Sequence, residues 1–596
     1  MQNAETVLAI YRDRGRRRLP LDGIYRMLFN RDLYLLAYAK LYPNQGAMTK
    51  GTTTETVDGM SIAKIDRLID EVRHQRFRWT PVRRVHIPKS NGKTRPLGVT
   101  SWRDKLLQEV IRSLLEAYYE PQFSAHAHGF RPGRGCHTAL SEIQQTWTGT
   151  AWFVEGDLAQ YFDTINHTIL LKILGEDIHD NRFLRLLREL LQAGYLEDWT
   201  YHPTLSGTPQ GAVLSPVLSN IYLARFDQYI ETELIPAYTR GARRAPNPAY
   251  VALTHQIAAG KRRGDKTGVA ALRKQRRLLP SVDLDDSSYR RLRYARYADD
   301  FVLGFVGTRQ EAEEIKRTIK EWLWEHLNLS LSDEKTLITS AINGEARFLG
   351  YAITNQYAND KVTPATGRRN INGRIALRVP HDVIVNQCHR YMRHGKASHR
   401  RELVDDDDFS IIARYQQEYR GIVQYYLLAT NVCHLGRLEW VMKTSLLKTL
   451  ANKHKTSVGK MSQKYEATIS TPEGTRKVLE CRVKREGKPD RVARFGGIAR
   501  KRQPTAVIND QPWMVFSKRV ELLKRLEADE CELCGSTDDV EVHHIRKLAD
   551  LTKKGRKAKP RWVEVMVARR RKTLVVCRSC HEAIHAGRPT RQRKSE

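Results

Sequence analysis

Two adjacent aspartates, Asp299 and Asp300, interrupt the stretch "RRLRYARYADDFVLGF" between two runs that are typical of β-strands. Neighbouring carboxylates repel each other, so a hairpin tip that carries both needs a compensating positive charge. Hard divalent cations such as Mg2+ supply it, because they bind carboxylate oxygens together with substrate phosphates. The pair therefore predicts a metal site at the end of a two-stranded ribbon.

A third carboxylate, Asp157, ends the apolar run in "AWFVEGDLAQYFDTI". Strands and helices alternate from about residue 150 to 365, which favours a mixed α/β region. Because the ends of neighbouring strands open onto a shared cleft, we expect Asp157 to meet the aspartate pair across a sheet.

The charge of the chain indicates its class of partner. Its 596 residues exceed the roughly 250–300 that one hydrophobic core serves, so several domains are expected. Lys and Arg number 101 against 67 Asp and Glu, which gives a formal net charge of +34. Such a charge is typical of proteins that follow phosphate backbones; a basic surface without a role is the alternative. Residues 241–280 hold ten Lys or Arg and one acid, Asp265, and form a predicted basic insertion.

Hydropathy and cysteine spacing constrain the compartment. No apolar run approaches the roughly 18 residues that span a bilayer, and the first apolar patch precedes its basic cluster, unlike a secretory signal. We expect a protein of the cytosol or the chromosome with no membrane partner. Two C-x-x-C pairs stand near the C-terminus, and in a reducing compartment such pairs bind metal more often than they form disulfides. Their members are Cys531, Cys534, Cys577 and Cys580.

Three further segments have a predicted structure. "VRRVHIPKSNGKTRPLGV" predicts two strands around a turn at Asn91-Gly92, with Lys89 and Arg95 along this basic hairpin. Residues 380–460 have helical periodicity and predict a helix bundle. After about residue 470 the chain is rich in Gly, Pro, Lys and Arg, which predicts a linker or a loosely folded stretch that binds nucleic acid.

A resemblance follows from the order of the motifs. "FVEGDLAQYFDTI", "SGTPQGAVLSPVLSNIYL", "YADD", "LNLSLSDEKT" and "ARFLGY" resemble the successive palm motifs of reverse transcriptases. "NQGAMTKG", "IPKSNGKTRPLG" and "HGFRPGRGCHTAL" are similar to the group II intron-encoded reverse transcriptase/maturases in particular, and "GIVQYYLLATN" resembles the thumb, or maturase, domain of that family. The resemblance covers nearly the whole chain.

This resemblance implies roles for the polymerase residues. Asp157, Asp299 and Asp300 would bind two Mg2+ ions that activate the primer 3′-hydroxyl and stabilise the leaving pyrophosphate. The implied substrate-binding residues are Lys89 and Arg95 at the triphosphate, Phe162 at the sugar gate, Gln210 behind the template and nucleotide, and Lys335, which would protonate the pyrophosphate. Core packing for Phe162 and a solvated surface position for Lys335 are the alternatives.

The Cys/His segment predicts two metal centres. Four cysteines in two pairs fit a closed tetrahedral Zn2+ site, and the histidines of "VEVHHIRKL" and "CHEAIHAG" exceed what that site needs. The arrangement resembles the HNH nucleases, in which His543, His581 and His585 would hold a catalytic divalent ion and His544 would act as general base. Thr573 stands where that pattern usually has an Asn that orients the catalytic loop, so a slowed or inactive nuclease, or a structural zinc module, stays open.

The implied fold is a multidomain α+β protein: a right-hand polymerase with fingers and palm, a helical thumb/maturase domain and a C-terminal ββα-metal module stapled by zinc. The implied domains are 1–150 (N-terminal extension and fingers), 151–370 (palm), 371–470 (thumb/maturase), 471–525 (basic DNA-binding linker) and 526–596 (HNH endonuclease).

The implied function is RNA-directed DNA polymerisation, assistance of splicing, and nicking of target DNA for intron retrohoming. The implied partners are the intron RNA, as unspliced precursor and excised lariat, together with target DNA and deoxynucleoside triphosphates. The implied location is the bacterial cytosol or an organelle matrix, with chromosome association during insertion. The alternatives are a splicing maturase without an active endonuclease or polymerase, and a reverse transcriptase of retron or diversity-generating lineage.

Overall fold

A computed structural model describes residues 2–591 except 89–91, 93, 199, 205, 208–210, 359–360, 364–368, 486–487, 509–519, 547, 549–550 and 552–559. Two of the predicted substrate residues, Lys89 and Gln210, therefore lie outside the described residues. Within the described part of the chain, no helix has the length and apolar character needed to cross a membrane.

The N-terminal region is helical and carries the basic hairpin. Its elements are α1 (Ala4–Arg16), α2 (Arg31–Leu41), α3 (Ile62–Arg73), β1 (Val82–Pro88), β2 (Thr94–Val99), α4 (Trp102–Tyr119) and α5 (Cys136–Thr146). Strands β1 and β2 pair antiparallel, as the sequence predicts. Helix α4 is buried along most of its length because α1 and α2 pack against it, so this region shares one core with the palm.

The central region contains the predicted mixture of strands and helices. Its elements are β3 (Trp152–Asp157), α6 (Tyr161–Thr164), α7 (His167–Asp177), α8 (Asn181–Leu191), β4 (Tyr195–Glu197), β5 (Thr200–His202), α9 (Ser215–Tyr229), α10 (Ile235–Ala237), α11 (Pro248–Arg262), α12 (Lys266–Leu278), β6 (Arg291–Tyr297), β7 (Asp300–Val306), α13 (Arg309–Leu327), β8 (Ile338–Ser340), β9 (Ala346–Phe348) and β10 (Tyr351–Asn355). Strands pair in the order β6-β7-β3-β8, and β3 is antiparallel to both neighbours. Gly156 allows this close pairing, because a Cβ there would lie 2.1 Å from the Phe301 ring.

The predicted basic insertion is a helical hairpin. Helices α11 and α12 pack against each other, and Asp265 caps α12 by accepting a hydrogen bond from the Gly268 amide. The hairpin leaves the palm where Pro246 and Val282 form an antiparallel bridge. Its basic residues are mostly exposed, so the insertion extends the positive surface without contributing much to the core.

The following region is a helix bundle closed by a sheet. Its elements are β11 (Ile375–Arg378), α14 (His381–His389), β12 (Met392–Arg393), β13 (Lys396–Ala397), α15 (Asp408–Tyr425), α16 (Gly436–Lys453), α17 (Val458–Tyr465), β14 (Glu466–Thr471), β15 (Gly474–Arg485) and β16 (Lys488–Phe495). The helices agree with the prediction for residues 380–460.

The expectation of a linker from residue 471 is wrong for residues 474–495. Strands β14, β15 and β16 pair antiparallel, and β15 and β16 pack on α15, with Leu479, Ala493 and Phe495 in the core of the helix bundle. The outward-facing positions are largely basic or polar, and these residues dominate the composition. At the end of β16 the buried Ala493 and Phe495 alternate with the exposed Arg494, so one face of the strand can be apolar while its composition stays basic.

The C-terminal module packs on the N-terminal helices. Its elements are α18 (Glu521–Glu527), β17 (Val540–His544), α19 (Arg561–Arg569), β18 (Thr573–Cys577) and α20 (Arg578–His585). Strands β17 and β18 form an antiparallel hairpin whose two faces enter different cores, because side chains alternate along a strand. Val540, Val542 and Val575 join the core of the N-terminal helices, whereas Leu574 and Val576 join the core beside the cysteines.

Candidate active sites

The strand register brings the palm aspartates together. Asp157 is the last residue of β3 and Asp300 the first of β7, and they are direct cross-strand partners. Asp299 occupies the turn after β6, where Ala298 has a φ of +56°. The convergence expected from the sequence is therefore present in the sheet.

Electrostatic strain marks this carboxylate cluster. Burial, followed by the charges of Asp299 and Asp157, raises the pKa of Asp300 to about 7. Burial and Asp157 also raise the pKa of Asp299, although the charges of Arg95 and Lys335 oppose the rise. Lys335 donates a hydrogen bond of 2.9 Å from Nζ to Asp157 Oδ2, and this bond raises the pKa of Lys335. Crowded, partly buried oxygens that repel one another fit divalent cations that take oxygen ligands.

Two candidate nucleotide-binding residues lie on β2 and α6. Arg95 lies at the exposed start of β2 and is near enough to lower the pKa of Asp299. Phe162 is half-buried on α6, with its ring centroid 5.3 Å from that of Tyr161. Gly207 packs against the backbone of Phe162, and Gly211 packs against Leu97 of β2. Gly207 thus lies beside the sugar-gate candidate, and Gly211 lies beside the strand that carries Arg95.

A buried ion pair supports the turn that carries the aspartates. Arg296, only 1% exposed, donates to both carboxylate oxygens of Asp227, at 2.7 and 2.5 Å. Its Nη1 also donates to the Ala298 carbonyl at 2.9 Å, and the Tyr294 hydroxyl donates to Asp227 at 2.7 Å. Arg296 therefore joins α9 to the turn. The sequence analysis missed it, because one Arg among several in "RRLRYARY" carries no signal of burial.

The four module cysteines converge. Cys534 Sγ lies 3.7 Å from Cys577 Sγ and 3.8 Å from Cys580 Sγ, and the donor atoms of the four lie within 4.8 Å of one another. These distances exclude disulfides, which need about 2.05 Å. A tetrahedral zinc with bonds of about 2.3 Å would separate its sulfur ligands by about 3.8 Å. The cysteines thus fit the predicted metal site.

A second convergent group contains the predicted nuclease histidines. His581 Nε2 lies 3.1 Å from both His543 Nδ1 and His585 Nε2. Asp58, from the N-terminal loop between α2 and α3, is the fourth member of the group. His581 Nδ1 is 2.6 Å from Glu541 Oε1, the arrangement that orients metal-binding histidines. The sequence analysis missed Asp58, because the loop "TETVDGM" has no ligand spacing.

Hydrogen bonds give the charge state of this group. Burial lowers the pKa of His581, but hydrogen bonds to Asp58 and Glu541 outweigh it and raise the value to about 9. Burial likewise raises the pKa of Asp58, yet hydrogen bonds from His543 and His581 hold it well below its usual range. The carboxylate therefore supplies negative charge to three imidazoles.

His544 is buried against the N-terminal helices. It follows His543 on β17 and therefore faces the opposite side of the hairpin, where its Nε2 is hydrogen bonded to the Tyr38 hydroxyl at 2.9 Å. Burial lowers the pKa of His544 to about 3. Its cross-strand partner is Thr573, whose hydroxyl accepts a hydrogen bond from Arg525 Nη2 at 2.9 Å. A neutral imidazole can accept a proton once the ring nitrogen is released.

Comparison with known protein families divides the chain into three matches. Residues 87–353 match the reverse transcriptase (RNA-dependent DNA polymerase) family, residues 372–495 the type II intron maturase family, and residues 531–581 the AI2M/AI1M-like HNH endonuclease family. The maturase match ends with strand β16, so it includes the sheet that was expected to be a linker.

Similar proteins match along almost the whole chain. The group II intron-encoded protein LtrA of Lactococcus lactis subsp. cremoris is 36% identical over 585 residues, which cover 94% of this chain and 95% of LtrA. The putative COX1/OXI3 intron 1 protein of Saccharomyces cerevisiae is 32% identical, over 95% of this chain and 69% of that protein. An uncharacterized 91 kDa protein in the cob intron of Schizosaccharomyces pombe is 33% identical, over 94% of this chain and 69% of that protein.

Proposed function

The chain belongs to the family of group II intron-encoded reverse transcriptase/maturases with an HNH endonuclease domain, and on that basis we propose how its residues divide the work. It is an RNA-directed DNA polymerase that assists the splicing of its intron and takes part in retrohoming. The maturase match argues against a retron or diversity-generating lineage. The presence of all three palm aspartates argues against a decayed polymerase.

In the palm, Asp157, Asp299 and Asp300 hold two Mg2+ ions. When bound, these ions activate the primer 3′-hydroxyl and stabilise the pyrophosphate that leaves. Burial and mutual repulsion keep the carboxylates poised for cations. Lys335 donates to Asp157 and so stands within reach of the leaving group, where it serves as proton donor.

The incoming nucleotide binds between the basic hairpin and α6. Arg95 contacts the triphosphate through its planar guanidinium, which matches phosphate oxygens in pairs, and Lys89 adds a second positive charge. Phe162 excludes a ribose 2′-hydroxyl, and Gln210 supports the template and nucleotide. The contacts of Gly207 with α6 and of Gly211 with β2 support this arrangement.

In the C-terminal module, the cysteines hold a structural Zn2+. His543, His581 and His585 hold a divalent ion that, when bound, polarises the scissile phosphate of the target DNA. His544 takes the proton of the attacking water. Thr573 is held by Arg525 and fixes the strand opposite His544, which supports an active nuclease in the absence of the usual Asn.

The observation that carries the proposal is the pairing of Asp157 with Asp300 in a chain that matches LtrA almost from end to end. It is tested with the protein bound to its own intron RNA. The complex is assayed for splicing, for primer extension on an RNA template and for nicking of a DNA duplex that carries the sequence flanking the intron. Asp299→Asn should remove extension only and His544→Ala nicking only. If Asp299→Asn extended primers at the parent rate, the two-metal assignment would be wrong.

A further inference from the structure

The N-terminal region of the polymerase contributes a carboxylate to the nuclease metal group. Asp58 Oδ1 lies 3.2 Å from His581 Nε2 and 3.5 Å from His543 Nδ1, and Asp58 Oδ2 lies 2.8 Å from His585 Nε2. Each histidine nitrogen of the group therefore faces the same carboxylate. Asp58 precedes His543, the nearest of these histidines, by 485 residues (543 − 58), so the contact joins segments that are far apart in the sequence.

The spacing of the four donors fits one metal ion. A tetrahedral site with bonds of about 2.0–2.1 Å to nitrogen or oxygen separates its ligands by about 3.3–3.4 Å. The separations between the carboxylate oxygens and the ring nitrogens, and between the ring nitrogens themselves, run from 2.8 to 3.5 Å. Two imidazole nitrogens at 3.1 Å repel each other unless a proton or a cation lies between them. Asp58 thus stands at the fourth corner of a tetrahedral site.

The same region also engages the nuclease base. The Tyr38 hydroxyl of α2 is hydrogen bonded to His544 Nε2, and Tyr42 packs against the same imidazole with ring centroids 6.1 Å apart. The His544 amide donates to Asp58 Oδ1 at 2.7 Å. His544 is only 6% exposed, so neither water nor DNA has open access to it.

The contact between the domains is extensive. The Gly59 amide donates to the Val542 carbonyl and the Val542 amide to the Met60 carbonyl, both at 2.9 Å, which extends the nuclease hairpin by one bridge. Gly59 has a φ of +73°, and a Cβ there would lie 3.3 Å from Glu541 Oε2, so the loop needs glycine to reach the site. Leu522 and Leu526 of α18 add apolar contacts between the module and the N-terminal region, because both belong to the core of the N-terminal helices. The docked arrangement is therefore held by backbone, apolar and polar contacts.

We propose that Asp58 is the fourth ligand of the nuclease metal and that the docked arrangement is the closed form of the nuclease. A catalytic site keeps one coordination position for water or substrate, whereas four protein ligands close it. Asp58 occupies that coordination position, and the Tyr38 hydroxyl occupies the ring nitrogen of His544 that would accept the proton. DNA must therefore displace the N-terminal loop before it can be cut. This inference rests on the proposed nuclease function, and it assigns to the polymerase region a regulatory role in cleavage.

The ligand assignment is tested by metal binding alone. Protein whose cysteine site holds zinc is titrated with Co2+, and the visible absorption of tetrahedral cobalt reports the histidine site. Asp58→Asn should raise the cobalt dissociation constant at least about tenfold, because one ligand is lost. Asp66→Asn is the matched control, since Asp66 lies on α3 of the same region and pairs with Arg31 away from the site. Equal affinity of Asp58→Asn and the parent protein overturns the ligand assignment.

The closed form is tested by cutting, with metal at saturation for every variant. Asp58→Asn and Tyr38→Phe should each nick the flanking-sequence duplex several times faster than the parent, because each removes one contact that closes the site. His544→Ala should not nick. A rate at or below the parent's for both variants overturns the closed form. If no variant cuts, the nuclease assignment fails and the closed form with it, whereas the ligand assignment is still decided by cobalt affinity.

Discussion

The palm site and the nuclease site both depend on crowded donors, yet they differ in where the donors come from. The palm carboxylates lie at the ends of adjacent strands of one sheet, and Lys335 donates a hydrogen bond to Asp157. The nuclease donors come from β17, from α20 and from a loop that belongs to the polymerase region. A site within one sheet is open to substrate, whereas a site built across two domains can be closed by one of them.

This difference also decides how the two sites respond to substitution. Under the proposed assignments, removing a palm carboxylate deletes a metal ligand and leaves the sheet in place. Replacing Asp58 would lower metal affinity and also remove a contact between the N-terminal region and the C-terminal module. The four predictions that follow separate the two regions, beginning with the largest expected effect.

Asp300→Asn should lower primer extension at least about a thousandfold, because a neutral amide replaces one carboxylate of the Mg2+ site. Splicing assistance and nicking should stay at the parent level, since their residues lie elsewhere. Primer extension is measured as single-nucleotide addition on an RNA template. Asp285→Asn, in the exposed loop before β6, is the control. Comparable extension by Asp300→Asn and the control would remove Asp300 from the metal site.

Cys531→Ser should release about one equivalent of zinc and abolish nicking, because the loss of a thiolate opens the site that joins β18 and α20 to the start of the module. Zinc content by mass spectrometry and nicking are the measurements. Cys433→Ser, at an exposed cysteine of the maturase region, should change neither. Extension should persist in both proteins. Retention of zinc by Cys531→Ser would mean that the cysteines do not form one structural site.

The sequence predicted the parts of each site that local patterns encode. A strand that ends in Asp157 and a hairpin that carries Asp299 and Asp300 need only short apolar runs and chain order to be placed together. The C-x-x-C spacing likewise places two sulfurs close together, and the i, i+4 spacing places His581 and His585 on one face of a helix. These features were found because each is contained within one short segment.

The features that the sequence did not predict depend on packing between segments. Asp58 and Tyr38 contact the nuclease histidines only because the nuclease hairpin packs on α2 and the loop that follows it. No spacing rule connects residues so far apart in the sequence. Arg296 was missed because its burial depends on Asp227 of α9. The sheet formed by β14, β15 and β16 was missed because its basic composition is that of a linker, while its few apolar residues are buried against the helix bundle. The maturase match over residues 372–495 includes that sheet, while the boundaries of the individual domains stay predictions.

Arg296→Lys should lower primer extension about tenfold and leave nicking unchanged. Lysine keeps the positive charge opposite Asp227 but loses the paired contacts and the hydrogen bond to the Ala298 carbonyl, so the turn that carries Asp299 is held less firmly. Nucleotide addition rates and the temperature of unfolding are the measurements. Arg309→Lys, at an exposed pair with Glu313, is the control. An unchanged addition rate would show that the turn does not depend on this ion pair.

The smallest effect concerns the helical hairpin of α11 and α12, which lies in the palm region and has no counterpart in the nuclease module. Pro246 and Val282 form a bridge, so residues 247–281 can be replaced by a short glycine linker without separating the two segments that flank the hairpin. The replacement removes eight Lys or Arg and one Asp. If the hairpin contacts RNA, each lost phosphate contact should reduce the slope of log affinity against log salt by about 0.7–0.9.

The salt slope distinguishes a contact from a general charge effect. A hairpin that touches phosphates changes the slope of log affinity against log salt over the whole salt range, whereas a remote positive charge changes that slope only at low salt, where screening is weak. Binding is therefore measured from low to high salt with the parent, the glycine-linker variant and a variant in which only the two basic residues at the hairpin tip, Arg263 and Lys266, become Gln. If the slope decreases stepwise from the parent to the two-Gln variant to the glycine-linker variant, RNA lies along the hairpin. A slope that is the same for all three would restrict RNA binding to the rest of the protein and leave the hairpin as a solvated excursion from the palm.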